Sequence, residues 1–388
     1  MSHQTSIFNY FGTPAQRSAR SNPHRPAQQS GSSSPTQQSG DEQQQQKQKK
    51  RRRAKSQDKE EKEEETEDEE DATPPKDPLK QSRHGRPDLR KAHRETKEIL
   101  PTILAQISHL NPGRCFHFKH PGPLGASYCP GFALPASDPK AGRKGTRIRV
   151  LDADTYDAAL ALQSNTTVST VLPPPTQSSH FAASGANPVL PVAVLNLASE
   201  RSPGGGWRHG SLAQEEALCY RSSLYLSLHR RYYPLPSLSA LYSPYVLIIR
   251  ASLSIGHALL FPTTQAVDLP MVSVITLAAL RNPAAQGGKF TKMADRDETK
   301  EKIRVVLRTA ARREHRRIVL GALGCGAFGN PPEDVAECFK EVFAEREFCG
   351  GWWEDVVFAV MDNAKGPSGK NGDGNFGIFY RALDGVVV

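Results

Sequence analysis

The stretch Ile318-Val319-Leu320-Gly321-Ala322-Leu323-Gly324-Cys325-Gly326-Ala327-Phe328-Gly329-Asn330-Pro331-Pro332-Glu333-Asp334-Val335 passes from an apolar segment through four glycines into a helix start. A short, nearly continuous apolar run suits a strand buried on both faces, so a strand is expected over Ile318–Gly321. Pro331-Pro332 followed by Glu333-Asp334 marks a helix N-terminus. Proline lacks only an N–H that would go unbonded there, and carboxylates favour the positive end of the helix dipole. Val335, Cys338, Phe339, Val342 and Phe343 then recur at i, i+3, i+4, i+7 and i+8, the stripe of an amphipathic helix. Strand, glycine loop and helix N-terminus together form an arrangement whose backbone N–H groups and dipole can hold a phosphate.

The same alternation extends in both directions. Arg147–Leu151, Val192–Leu197, Val246–Ile249, Val272–Thr276 and Val356–Val360 are further strand-like runs. Arg90–Ile107 is helical in composition, with Pro101 in a turn or kink, and Ile303, Val306, Leu307, Ala310 and Ala311 repeat the helical spacing. Strands alternating with helices predict a three-layer α/β/α domain with a mixed, mostly parallel sheet. Ligands then belong in the crevice at the carboxyl ends of the strands. Gln163–Pro188, rich in Ser, Thr, Pro and Asn, and the glycine-rich Asn363–Gly377 read as long surface loops.

Charge divides the chain. Its 388 residues carry 50 Lys+Arg and 41 Asp+Glu, a net of +9. Residues 1–75 hold 12 basic and 13 acidic residues, which leaves 38 and 28, a net of +10, for residues 76–388. The positive excess therefore belongs to the part that can fold, and it points to a polyanionic partner. The division is a disordered tail over residues 1–84, poor in apolar residues, and a folded domain over residues 85–388. No apolar run approaches the roughly 20 residues of a membrane span, and the N-terminus lacks the apolar core of a secretory signal. Six cysteines are scattered without a C-x-x-C pair, so neither a zinc site nor a disulfide framework is expected, and a reduced intracellular setting is.

Three features mark the tail. Lys47 to Lys55 packs seven positive charges into nine positions and reads as a nuclear-import signal for an import receptor or as a nucleic-acid contact. Asp58–Asp71 is almost entirely acidic and is assigned no function. Gln4-Thr5-Ser6-Ile7-Phe8-Asn9-Tyr10-Phe11 fits Q-x-x-[ILM]-x-x-[FY]-[FY] and resembles the peptide by which replication and repair proteins dock on the DNA sliding clamp. One 3₁₀ turn would bring Ile7, Tyr10 and Phe11 into a single apolar plug, with Gln4 hydrogen-bonding beside it.

A second glycine loop, Ser202-Pro203-Gly204-Gly205-Gly206-Trp207, follows the Val192–Leu197 strand, and after seven further residues comes Gln214-Glu215-Glu216. Three glycines let backbone approach a ligand with no Cβ in the way. Two adjacent carboxylates at a helix start could merely offset its dipole. Here they lie beside a loop that would itself line the ligand crevice.

GGG-x₇-QEE resembles the poly(ADP-ribose) glycohydrolases, in the compact form of bacteria and fungi, which have a macrodomain fold. Val194-Leu195-Asn196-Leu197-Ala198-Ser199, Tyr242-Ser243-Pro244-Tyr245-Val246, Val274–Ala279 and Gly324–Asn330 extend the resemblance from about Arg90 to Leu383. It implies cleavage of the ribose–ribose link of poly(ADP-ribose), carried on ADP-ribosylated proteins, through an oxocarbenium-like state that needs a proton at the leaving oxygen. By that pattern Glu216 is the general acid and then the base for water, its pKa raised by burial and by the Glu215 charge. Glu215 would hold ribose hydroxyls, Gln214 would orient the pair, and Asn196 would touch ribose. Gly204, Gly205 and Gly206 would close over the scissile sugar. Gly324, Cys325, Gly326 and Ala327 would offer N–H groups to the diphosphate, and Phe328 would pack on the distal ribose. No cofactor and no metal are implied. A nuclear, monomeric enzyme of DNA repair is the resulting expectation. The alternatives are a non-enzymatic reader of the polymer, or a hydrolase of single ADP-ribosyl adducts. Cys325, Cys219 and Cys338 read as packed residues, Trp352 and Trp353 as structural ones, and Trp207 as either a ligand cover or a wedge under the loop.

Overall fold

The computed structural model describes residues 88–172 and 190–388. The clamp-like peptide at 4–11, the basic run at 47–55, the acidic run at 58–71 and residues 173–188 of the long loop lie outside the described residues. Seven strands form the main sheet: β1 (Phe116–Lys119), β2 (Ile148–Leu151), β3 (Ala193–Leu197), β4 (Ser239–Leu247), β5 (Met271–Leu277), β8 (Arg317–Leu320) and β9 (Asp355–Ala359). A two-residue pair, β6 (Ala285–Gln286) and β7 (Lys289–Phe290), makes a separate hairpin. The helices are α1 (Leu89–Gln106), α2 (Thr155–Leu162), α3 (Val168–Val171), α4 (Gln214–Arg221), α5 (Met293–Arg312), α6 (Pro332–Phe343) and α7 (Asn375–Leu383).

The strand order is β1-β4-β5-β3-β8-β9-β2. β5, β3, β8, β9 and β2 are parallel neighbours, and β4 and β1 are added antiparallel at one edge. Both faces are covered, as the unbroken apolar runs require. Ala193 and Leu195 of β3 turn toward α5, α6 and α7, while Val192 and Val194 turn toward α1, α2 and α4. The expected three layers are thus present, with the side chains of one strand dividing between two cores.

Several boundaries differ from the sequence reading, each for an identifiable reason. The strand expected over Val246–Ile249 begins seven residues earlier, at Ser239. Pro244 argues against a strand there, yet a register shift between Ser243 and Val246 accommodates it, and its carbonyl accepts the Ser273 hydroxyl at 2.9 Å. β1 escapes an apolar-run criterion because Phe-His-Phe-Lys alternates at an edge, where the Arg313 guanidinium lies 4.3 Å and 4.9 Å from the Phe116 and Phe118 ring centres. The segment expected as loop over Asn363–Gly377 gives way to α7 at Asn375, whose Phe376, Phe379 and Leu383 are buried. Within the loop expected over Gln163–Pro188, Val168–Val171 is helical and buries both valines. Pro101 does not end α1, because Leu100 and Ile103 on either side of it are buried in a third core with β4 and β5.

Ion pairs lace α5 to α6 and to the turn that follows it: Arg296–Glu341 at 2.7 Å, and Arg304 and Arg308 to Glu345 and Glu347 at 2.6 Å and 2.7 Å. Pairs of this kind, whose side chains still reach solvent, add little stability each. The helices hold through apolar contact, with Phe339 fully buried and edge-on to Phe358 at 4.9 Å. Phe339→Ala is therefore expected to destabilise the chain by about 3–5 kcal/mol in urea denaturation, through lost transfer energy and an unfilled cavity.

Candidate active site

The site begins where two parallel strands part. β3 pairs with β8 only at Ala193 and Val194, and beyond that point the ladder is open on the β8 side. The side chain of Gln214, first residue of α4, occupies the gap. Its Oε1 accepts the Leu197 N–H at 2.8 Å and its Nε2 donates to the Leu195 carbonyl at 2.7 Å. An amide thus supplies β3 with the donor and acceptor that β8 no longer offers. Nε2 also lies 3.1 Å from Thr155 Oγ1 at the start of α2. Gln214 is accordingly a positioning residue: its hydrogen bonds anchor the N-terminus of α4 to the strand end.

That anchoring places Glu215 and Glu216 under the first glycine loop. Glu215 Oε2 accepts the Ser199 N–H at 2.6 Å, and Oε1 accepts Gly204 N–H at 3.2 Å and Asn196 Nδ2 at 3.4 Å. Glu216 Oε1 accepts the Gly206 N–H at 2.8 Å and Oε2 the Ala213 N–H at 2.9 Å. One loop therefore wraps both carboxylates with backbone donors. Gly205 has φ +58°, and a Cβ built there would land on the Glu216 carboxylate. No other residue could approach so closely.

Glu215 is the deeper of the two, 2% exposed against 8% for Glu216. Burial pushes its carboxyl up to about 8, against the lowering pull of the Ser199 N–H, with the Glu216 charge raising it further and Asn196 and Gly204 lowering it. The expected environment of a raised carboxyl is thus found at Glu215, the member of the pair that was expected to hold sugar. Asn196 is fully buried; its Nδ2 also lies 3.2 Å from Thr276 Oγ1, and its Oδ1 has no hydrogen-bond partner among the described residues.

Trp207 is a wedge beneath the loop. It is buried, stacks edge-on with His93 at 4.4 Å, and lies 4.9 Å from the Tyr225 ring. The Tyr220 hydroxyl is 2.8 Å from both the Trp207 and Ser211 carbonyls, tying the loop to α4. Cys219, Cys325 and Cys338 are buried, as are Trp352 and Trp353.

The second loop is held open by Asn330, whose Nδ2 donates to the carbonyls of Leu280 at 2.6 Å, Gly324 at 3.2 Å and Phe328 at 3.3 Å. Gly324 has φ +75°, and a Cβ there would collide with Asn330 and Ala279. Two expectations change here. The Cys325 N–H turns inward to the Ala322 carbonyl at 3.1 Å, leaving Gly326 and Ala327 as the exposed backbone of the loop. The dipole of α6 is met by its own first-turn carboxylates, and Asp334 accepts from Phe290 N–H at 3.0 Å and Arg296 Nε at 2.8 Å. An anion would rest on the loop amides rather than on the helix end.

A residue that the sequence reading missed joins the two loops. Arg281, after β5, makes a bidentate pair with Glu200 of the first loop at 2.6 Å and 2.9 Å, and its guanidinium lies 4.2 Å from the Phe328 ring centre in the second. Asn282 N–H donates to the Phe328 carbonyl at 2.8 Å. No pattern around Arg281 signals this role, because its partners are 81 residues before it and 47 after it in the chain. Among the described residues, no group of three or more His, Cys, Asp or Glu side chains is placed to hold a metal.

Comparison with known proteins agrees with this geometry. The model of the microbial-type PARG catalytic domain matches residues 125–251. A crystal structure of poly(ADP-ribose) glycohydrolase from Thermomonospora curvata is 30% identical, with a TM-score of 0.53 over 76% of this chain and 100% of that one. The same enzyme bound to the inhibitor ADP-HPD gives 28% identity and a TM-score of 0.52 over 76% and 99% of the two chains. The Deinococcus radiodurans enzyme in complex with ADP-ribose is 31% identical over 61% of this chain and 84% of that one, with a TM-score of 0.45. No curated protein matches. With a solved relative covered along its whole length at that identity, and both glycine loops around the paired carboxylates, this chain belongs to the microbial-type poly(ADP-ribose) glycohydrolases.

Proposed function

We propose that this glycohydrolase cuts the ribose–ribose bonds of poly(ADP-ribose), releasing ADP-ribose, with Glu216 as the general acid and base. The observation that carries the reading is the convergence of Ser199, Gly204, Gly206 and Ala213 N–H groups on two carboxylates at the carboxyl end of β3. Backbone donors fixed by a glycine loop hold the carboxylates without side-chain freedom, so a sugar entering the crevice meets a preorganised pair. Glu216 is the more exposed of the two and is the one that reaches the leaving oxygen. It delivers the proton as the glycosidic bond breaks, then takes one from the water that attacks the oxocarbenium-like carbon. Glu215, deeper and hydrogen-bonded to Asn196, holds the ribose hydroxyls. Gly326 and Ala327 face the diphosphate, and Phe328, backed by Arg281, packs on the distal ribose.

The tail gives the enzyme an address. The Gln4–Phe11 peptide docks on the DNA sliding clamp, and Lys47–Lys55 engages an import receptor, which brings the enzyme to the nucleus and to sites of replication and repair.

Incubation with labelled polymer on automodified protein tests the chemistry. The wild type should release ADP-ribose, and Glu216→Gln should lower kcat by about 10²–10⁴-fold while still retaining polymer. Retention without release by the wild type would instead make the chain a reader. The raised carboxyl of Glu215 has a thermodynamic signature. Because the folded state binds its proton more tightly than the unfolded chain, stability is full below pH 4.5 and is lost as pH rises toward about 8. Glu215→Gln should flatten that fall in urea denaturation between pH 4.5 and pH 9, and an unchanged slope would remove the buried-acid assignment. For the tail, Tyr10→Ala with Phe11→Ala should abolish capture on immobilised sliding clamp and leave polymer turnover untouched.

A further inference from the structure

We propose that a basic, aromatic-lined track along the β1 edge of the sheet binds the stretch of poly(ADP-ribose) lying beyond the unit being cut; this rests on the glycohydrolase reading above. The sheet register places the track. Lys119 pairs with Ser239, Leu241 with Thr276, and Thr276 with Asn196, so the carboxyl end of β1 lies at the same end of the sheet as the carboxylate pair. Three strand spacings separate β1 from β3, about 15 Å.

Residues 229–235 connect that edge to the crevice. His229 Nε2 lies 2.8 Å from the Gly113 carbonyl, and the Tyr232 ring is 5.1 Å from that of His117 on β1. At the other end, Leu235 N–H donates to the Glu200 carbonyl at 2.8 Å, within the loop latched by Arg281. Tyr233, between them, has a phenol raised by burial and then by the charge of Glu215.

Two arginines of this edge face rings. The exposed Arg114 guanidinium lies 5.0 Å and 6.0 Å from the Phe116 and Tyr245 ring centres, and that of exposed Arg231 lies 4.9 Å from Tyr232. On α5, by contrast, Arg296, Arg304 and Arg308 are each bonded to carboxylates. Arg114, Lys119 and Arg231 have no carboxylate partner among the described residues and are open to an external anion, whereas the charges of Arg296, Arg304 and Arg308 are neutralised within the fold. Each unit of the polymer brings two phosphates and one adenine. Arg114, Lys119 and Arg231 match the phosphates, and His117 and Tyr232 offer ring faces to a base. A single-stranded nucleic acid shares those groups, but a track that runs into the glycosidase crevice favours the polymer.

The test uses the full chain carrying Arg114→Gln, Lys119→Gln and Arg231→Gln together. A control carries Arg143→Gln, Lys144→Gln and Arg346→Gln, in the segments that lead into β2 and β9 at the other edge of the sheet. Long polymer and a purified two-unit oligomer serve as substrates. The track variant should raise KM for long polymer by about tenfold, and reduce the slope of log(kcat/KM) against log salt by about 2. Its kinetics on the two-unit oligomer should be those of the wild type, and the control should match the wild type on both. Equal losses on both lengths, or an equal loss in the control, overturn the proposal. So does single-stranded DNA that displaces labelled polymer from the wild type at a lower phosphate concentration than unlabelled polymer does. Filter binding separates this proposal from the reading on which it rests. If the wild type cuts neither substrate yet the track variant still binds long polymer tenfold more weakly, the track stands and the glycohydrolase reading falls.

Discussion

A carboxyl group sealed under backbone N–H donors is the constraint around which this molecule is arranged. Burying Glu215 carries a large desolvation cost, which the Ser199, Gly204 and Asn196 donors offset only in part. Those donors converge only if the chain after β3 doubles back over the start of α4, and the fold around them follows from that requirement. Gln214 fastens α4 to β3 at the place where β8 leaves the ladder. Trp207 and Tyr220 fill the space beneath the loop, and Gly205 makes room for the second carboxylate. The departure of β8 from β3 supplies both the need for Gln214 and the crevice itself.

The two glycine loops follow the neighbouring strands β3 and β8, and a third element sets their relation. Arg281 bonds to Glu200 in one and covers Phe328 in the other. An exposed ion pair alone would contribute little. This one is bidentate and backed by a ring, which restricts the direction of the guanidinium as well as its distance. The crevice width is thereby coupled to a residue that bears no chemistry of its own.

Charge is distributed with similar economy. The +10 net charge of residues 76–388 resides partly in arginines of α5 whose carboxylate partners lie on α6 and the turn after it, and these add little to an external field. Part of what remains lies where arginines sit over aromatic rings, as at Phe116 and Tyr232. Net charge counted from composition therefore overstates the charge that a partner meets, and only the pairing pattern says where that charge is. Most of the layered fold was legible beforehand because buried parallel strands must be apolar on both faces. β1 and α7 were not, since an alternating edge strand and a glycine-led helix carry weak local signals and are held by contacts distant in the chain.

The sequence by itself determined the alternation of strands and helices, the two glycine loops and the Gln-Glu-Glu triplet, because those depend on periodicity and on residue types with one conformational use. It also carried the tail motifs, which are read as linear patterns. Tertiary structure decided which carboxyl is deeply buried and that Asp334, at the start of α6, is bonded to Phe290 and Arg296. It decided as well that Arg281 joins the loops. Each of these is a matter of what lies within a few ångströms in space, and the partners concerned stand up to 81 residues apart along the chain, beyond the reach of any local pattern.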